Sequence, residues 1–570
     1  MKWYNSFFII LLLGGCSIQS ENITKNTYER PNIIIMLVDD MGFSDPGCYG
    51  GEIRTPNLDK LAGQGIRFTQ FYNTSRCCPT RASLLTGLYQ HQAGIGQMTG
   101  DKGFPGYSGK LRENTVTIAE LLGGAGYNTG MVGKWHVSRT KQQQGKENQL
   151  KWLNHQGYEN EDFSTLDSYP TKKGFEKFYG NIWGVVNYFD PFSLVNGDQP
   201  VKKVPANYYH TTALSDSAVA YIDEFSKDES PFFLYIAHTA PHWPLHALPE
   251  DIEKYEATYQ KGWDAIREAR YNKMVDLGIV DPVTTPLSPE MREVKDWESN
   301  PNKVYDARKM AVHAAMIDRI DQGLGKIISK LKEKNQLDNT VILFLSDNGA
   351  SPETPGEGGF DRNSETRDGK QVIYTTHDKS VMPGPETTYA GIGREWANVA
   401  NTPFRFWKAK TFEGGITTPL IAHWPKGITS QAGTTNHSPG HVIDLMATCL
   451  DLAKIPYPDQ FNNKKVTPLE GKSLMPIFKS GSREGHKTIF FEHYWSKALR
   501  AGKWKIVALP NDEWELYNLE EDRTELNNLA NELPDKVTEL SQLWEEEALR
   551  LDVFPQPEMP ERLKKNRENN

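Results

Sequence analysis

Short apolar runs alternate with helical patterns along most of this chain. Asn32–Val38 (NIIIMLV) is apolar, rich in β-branched residues and too short for a helix, which predicts a strand buried on both faces. Phe232–Ala237 and residues 341–345 repeat the pattern, and 127–132 is strand-like. Between them, Thr117 and Glu120 have the spacing of a capping box ahead of Leu121 and Leu122. Met310, Ala314, Ile317, Leu324, Ile328 and Leu331 recur at helical spacing, so that helix carries one apolar face. Strands alternating with helices predict an α/β fold, a large sheet covered by helices on both sides. In such sheets ligands sit beyond the carboxyl ends of the strands.

The second half of the chain is less regular. Residues 351–401 are rich in Gly, Pro and Thr with little periodicity, and a loop of that length in a compact domain is functional or disordered. After Pro456-Tyr-Pro the runs at Ile489, Trp504 and Trp514, with a helix over about 534–550, predict a small antiparallel sheet with one helix. The expected organisation is a leader over 1–16, a tether over 17–30, a catalytic domain over 31–455 and a smaller subdomain over 456–570.

Composition narrows the function. At 570 residues, with 38% hydrophobic residues and 14 Trp, the chain can bury a large core. Its net charge of −9 argues against nucleic-acid binding, which needs a basic face. Lys2 followed by the apolar stretch 7–13 reads as an export signal, far below the ~20 residues a membrane span needs. Leu13-Gly14-Gly15-Cys16 looks like a bacterial lipobox. That implies an exported lipoprotein held to a membrane through Cys16, periplasmic or outer-membrane associated; an ordinary cleaved signal is the alternative.

The candidate chemistry clusters at predicted strand ends. Asp39 and Asp40 follow the first strand, and Asp347 and Asn348 follow the third. These hard oxygen donors suit Ca²⁺ or Mg²⁺ rather than zinc, although Asp-Asp and Asp-Asn-Gly are also common turn and cap signals. Lys134 and His136 follow the strand-like run, where alternation sends them to the same side. His242 follows the second strand, with His238 and His246 as competitors. Lys408 stands five residues before Glu413-Gly-Gly, with Lys410 as its rival. The other five-residue feature is Cys77-Cys78-Pro79-Thr80-Arg81; the two cysteines could equally form a vicinal disulfide or be buried thiols.

Cys77-x-Pro-x-Arg81 resembles the activation motif of the type I sulfatases, members of the alkaline phosphatase superfamily. Asp39-Asp40, Gly133-Lys134-x-His136, Ala240-Pro-His242, Ser346-Asp347-Asn348-Gly-Ala, Lys408 and Glu413-Gly-Gly follow in the family's order. The stretch from His242 through Trp263-Asp-Ala-Ile-Arg to Asn401-Thr-Pro-Phe-Arg is similar to the bacterial arylsulfatase branch. Trp514-Glu-Leu-Tyr-Asn-Leu and Asn527-Asn-Leu-Ala resemble that family's C-terminal subdomain.

The resemblance implies an alkaline-phosphatase-like core and hydrolysis of sulfate monoesters. It implies that Cys77 is oxidised by a formylglycine-generating enzyme, and that Asp39, Asp40, Asp347 and Asn348 bind one Ca²⁺. Arg81, Lys134, His136, His242 and Lys408 complete the implied pocket, with 81–88 opening a helix toward the anion. Sulfated saccharides or aryl sulfates are the implied substrates. The aromatics Trp183, Tyr188, Phe189, Tyr389 and Trp396 could stack on a sugar or simply pack. Two alternatives stand beside this reading: a formylglycine-dependent phosphonate or phosphodiester hydrolase, and a non-catalytic lipoprotein that binds sulfated glycans.

Overall fold

The computed structural model describes Met1 and residues 30–156, 162–292 and 296–564. The leader with Cys16 therefore lies outside the described residues. Among those described, no helix is long and apolar enough to cross a membrane.

Asn32–Val38 forms the predicted buried strand and lies inside the sheet, paired in parallel with Phe232–Ala237 on one side and Thr340–Ser346 on the other. Its alternation feeds two separate cores. Ile34, Met36 and Val38 pack with helices His210–Phe225 and Lys303–Glu333, and Ile33, Ile35 and Leu37 pack with helices Cys77–Thr86 and Asp444–Ala453. Both faces are apolar because both are covered. Asn128–Gly133 extends the parallel set beyond Phe232–Ala237. Beyond Thr340–Ser346, Thr417–His423 runs antiparallel to it and to Ile66–Tyr72, which makes the 11-stranded sheet mixed.

This topology determines where the chemistry can be. The carboxyl ends of the parallel strands fall on one edge, and so do Val38, Gly133, Ala237 and Ser346. Thr417 begins its antiparallel strand at that same edge, so the loop carrying Lys408 arrives there too. Tyr72 ends its strand there and leads into Cys77.

Helix Lys303–Glu333 spans the predicted apolar stripe, and Thr117 and Glu120 make both hydrogen bonds of the capping box. Residues 351–401 are largely irregular, as expected, but they end in a helix, Gly393–Ala400. Its Trp396, Ala397, Val399 and Ala400 are buried in the core; a two-turn element behind a Gly-rich stretch shows too little periodicity to be read in advance.

The C-terminal subdomain is a four-stranded antiparallel sheet: Ile489–His493, Ser496–Ala501, Trp504–Ala508 and Glu515–Asn518. Helix Pro534–Arg550 packs on it through Leu540, Trp544 and Ala548. Where this sheet meets the main one, Lys505 Nζ lies 2.9 Å from Glu413 Oε1 and 2.7 Å from Glu525 Oε1, with all three side chains inaccessible to solvent. Removing one partner of a buried charge cluster costs about 3–5 kcal/mol, because the others stay buried and unpaired. Lys505→Met should lower the urea unfolding free energy by about that amount.

Candidate active site

Helix Cys77–Thr86 begins directly at Cys77, not at Arg81 as expected, because Arg76 is extended (φ −147°, ψ 148°). Cys-x-Pro-x-Arg is thus itself the first turn. Pro79 is tolerated there because its missing N–H would have no helical partner anyway. Gly87, at φ +68°, ends the helix by donating its N–H to the carbonyl of Ser83. Thr80 Oγ1 donates to the Asp347 carbonyl at 2.7 Å and accepts the Thr74 N–H at 3.1 Å, tying the motif to the neighbouring strand end. Cys77 sits at the positive end of the helix dipole. The Cys78 thiol beside it, then Lys134 and His136, hold the Cys77 thiol well below its usual range against the effect of burial. Burial pushes Cys78 the other way. The two cysteines are free thiols, not a vicinal disulfide.

Arg81 is the organising cation. Its guanidinium is completely buried and reaches Asp39 Oδ2 at 2.9 Å, Asp347 Oδ2 at 3.0 Å and the Lys134 carbonyl at 2.9 Å. Lys134 Nζ approaches Asp39 Oδ2 at 2.6 Å. Asn348 donates its amide to Asp40 Oδ1 at 2.6 Å, and Lys408 Nζ donates to Asp40 Oδ2 at 2.8 Å. Asp40 takes a left-handed backbone (φ 66°) that turns the chain immediately after its strand. Burial favours neutral Asp39, but Lys134, His242 and Arg81 outweigh it and hold that carboxyl below its usual range. Burial, then the Asp39 charge, push Asp347 well above it.

These residues fit a hard cation. Asp39 Oδ1 and Asn348 Oδ1 are buried without any hydrogen-bond partner. Carboxylate and amide oxygens converging from two strand ends are the donor set of Ca²⁺ or Mg²⁺. A cation there would also relieve the crowding of like charges around Asp347.

Lys134 and His136 do face the same place, but plain strand alternation is not the reason. The Asn128–Gly133 strand has ended, and His136 is left-handed at φ 54°. The backbone is held by Lys134 N–H to the Ala237 carbonyl (2.7 Å) and His136 N–H to the Ile182 carbonyl (3.1 Å). Between them Trp135 points away, its Nε1 donating to Ser138 Oγ and the Ser168 carbonyl. A His136 ring nitrogen lies within 4.8 Å of the Cys77 and Cys78 sulfurs. Burial lowers His136 to a pKa of about 4, so the ring is neutral and able to accept a proton at ordinary pH. Gly184 closes against its face: a Cβ there would meet His136 Cε1 at 2.4 Å and Nε2 at 2.6 Å. Gly184→Ala should therefore displace the ring and slow turnover by up to about 10²-fold, with unchanged thermal stability as the control.

His242 is fixed by its Nδ1–H, which donates to the Trp243 carbonyl at 2.6 Å, leaving Nε2 3.5 Å from Asp40 Oδ2. Burial and then Lys408 lower its pKa, and an anion bound beside it would raise it again. The competitors lie elsewhere. His246 Nε2 donates to the Thr388 carbonyl in the core, and His238 is buried with neither ring nitrogen bonded. Among the described residues the site's ion pairs use Lys408 rather than Lys410, and Glu413 belongs to the subdomain junction.

A sequence profile described as Sulfatase matches residues 31–455, three quarters of the chain. The chain belongs to the sulfatase family. A second profile, the C-terminal region of N-sulphoglucosamine sulphohydrolase, matches residues 404–551. A sulfatase of Schizosaccharomyces pombe is 32% identical over 548 residues, spanning 90% of this chain and 93% of that protein. The arylsulfatase of Klebsiella aerogenes is 34% identical over 456 residues, spanning 79% and 92%. The crystal structure of Ps i-CgsB in complex with k-i-k-neocarrahexaose shares the fold at a TM-score of 0.62 and 24% identity, covering 92% of this chain and 98% of that one. The enzyme is a sulfuric ester hydrolase.

In this sulfatase a cleft of about 870 Å³ has His136, Arg76, Trp183, Trp243 and Glu353 among its walls. Arg76 and Glu353 escaped the sequence reading. Glu353 accepts from Arg76 at 2.8 Å and from Trp243 Nε1 at 2.8 Å, and lies 3.5 Å from Lys408 Nζ. Against burial, Arg76 and Lys408 hold its carboxyl well below the usual range, while Asp40 and Glu353 keep the buried Lys408 charged. Of the aromatics considered as a sugar platform, Trp183 lines the cleft. Tyr188, Tyr389 and Trp396 are fully buried packing residues, and Phe189 packs against Tyr209 and His246.

Proposed function

We propose that this sulfatase removes sulfate from saccharide monoesters by S–O cleavage, using formylglycine made from Cys77 and one Ca²⁺. The observation that carries the proposal is the meeting of Cys77, at the head of a buried helix, with cations on one side and unpartnered oxygens on the other. Formylglycine supplies a hydrated aldehyde, with one hydroxyl to attack sulfur and a second through which sulfate is expelled. Calcium supplies positive charge for the sulfate oxygens.

The side chains divide the remaining work. Arg81 and Lys134 orient the oxygens at position 77, and Asp347 takes the proton of the attacking hydroxyl. Lys408 and His242 hold the sulfate and protonate the leaving oxygen. His136, neutral and beside position 77, takes the last hydroxyl proton as sulfate departs. A saccharide substrate is supported by the size of the cleft and by likeness in fold to a protein crystallised with an oligosaccharide.

Sulfated monosaccharides and aryl sulfates, run beside their phosphate analogues, test the reaction class: sulfate esters should be the faster substrates. Faster phosphate or phosphonate cleavage would place the enzyme with the phosphohydrolase branch, and no turnover at all would favour a binding protein.

The Leu13-Gly14-Gly15-Cys16 segment supports export and lipid anchoring at Cys16. Stable anchoring needs more than one lipid chain, so Cys16→Ala should release active enzyme into the soluble fraction. A mature N-terminus at another residue, without lipid mass, would refute the anchor.

A further inference from the structure

The thiol form of the protein, before Cys77 is converted, contains a second kind of donor set that the sulfate chemistry does not use. The sulfurs of Cys77 and Cys78 and a ring nitrogen of His136 all lie within 4.8 Å of one another, and all three residues are buried. Met98 adds a thioether, its Sδ 3.6 Å from Cys78 Sγ. His136 Nδ1 has no hydrogen-bond partner. Both cysteines stand in the first turn of the ten-residue helix Cys77–Thr86, where the dipole favours the Cys77 thiolate, and a bound ion would displace the proton that burial keeps on Cys78. Met98 and His136 also line the cleft, which gives an ion a path from solvent.

Thiolate, thioether and imidazole donors select soft ions, whereas Asp39, Asp40, Asp347 and Asn348 offer only hard oxygen or amide donors. Two sorts of metal would thus be separated within one pocket by donor softness. Two thiolates with a monovalent ion leave one net negative charge, beside a cluster that already contains Lys134 and Arg81. We propose that the unconverted protein binds one Cu⁺ through Cys77, Cys78 and His136, with Met98 as a fourth donor. Bound there, the ion occupies the thiol that has to be oxidised and holds the folded precursor inactive. The inference depends on residue 77 being a thiol and is independent of the sulfate-transfer scheme.

The test uses the full chain made without the maturation enzyme. Anaerobic titration with Cu⁺ against a chromogenic Cu⁺ chelator should give one tightly held ion per chain and a near-ultraviolet sulfur-to-copper band. Cys78→Ser should abolish that band, and Met98→Leu should weaken binding by about tenfold. Fully converted protein, which lacks the residue 77 sulfur, should bind at least about 100-fold more weakly. Equal copper affinity in the thiol and converted forms, or an unchanged band in Cys78→Ser, would overturn the proposal.

Discussion

Cys77→Ser should fold, keep its metal, and release at most one equivalent of desulfated alcohol per active site, with the sulfo group retained on the serine. A serine at the head of helix Cys77–Thr86 retains a hydroxyl in position to attack, with Arg81, Lys134 and the cations of the pocket unchanged. What it lacks is the second hydroxyl on the same carbon. Its sulfate ester has no internal route of collapse, so water would have to attack sulfur again. The variant should therefore gain the mass of one sulfo group and stop, while wild type turns over repeatedly. His136→Ala in the converted enzyme should stall the same release step, because the neutral ring beside position 77 is the proposed acceptor of that proton. His242→Ala should instead slow the first step, most for poor leaving groups such as sugar alcohols, where general-acid help contributes ~10²–10⁴-fold. Multiple turnovers by the serine variant near the wild-type rate would mean that another nucleophile operates.

The second large effect is loss of the oxygen cluster. Asp40→Ala and Asp347→Ala should each lose bound Ca²⁺ and at least ~10³-fold in turnover, since a metal supplies several kcal/mol of charge stabilisation. The two variants should differ in stability. Asp347 also pairs with Arg81, which the alanine leaves buried with Asp39 and the Lys134 carbonyl. Asp40 is instead one of two acids near Lys408. Exhaustive chelation of wild type should reproduce the activity loss and added Ca²⁺ should restore it. Full activity with no metal by elemental analysis would remove the ion from the account.

Much of this arrangement was legible in the sequence because it obeys local rules. The buried strands Asn32–Val38, Phe232–Ala237 and Thr340–Ser346 announce themselves by unbroken apolar runs, and their parallel pairing sends Asp39, His242 and Asp347 to one edge. Arg81 was legible as a motif residue, but its role as a bridge between two aspartates depends on strands far apart in the chain. Glu353 and Arg76 were not legible. Each is an ordinary charged residue until the fold lays the loop after Ala350 across the start of helix Cys77–Thr86. The only hint was the position of Glu353 just after Asp347-Asn348-Gly349-Ala350, at the same strand end. Gly184 was equally silent, since nothing local distinguishes a glycine pressed against the His136 ring from one in a turn. For the aromatic residues the sequence left sugar stacking and packing open, and burial decides for packing at Tyr188, Tyr389 and Trp396.

The most direct test of the central claim is the mass of the peptide spanning residue 77 in active enzyme, made with the maturation enzyme and matched to its specific activity. The account predicts that Cys77 is converted to the aldehyde, lighter than the thiol and reactive with hydrazide, in proportion to activity, while Cys78 remains a thiol. Fully active protein with an unmodified thiol at Cys77 would contradict it.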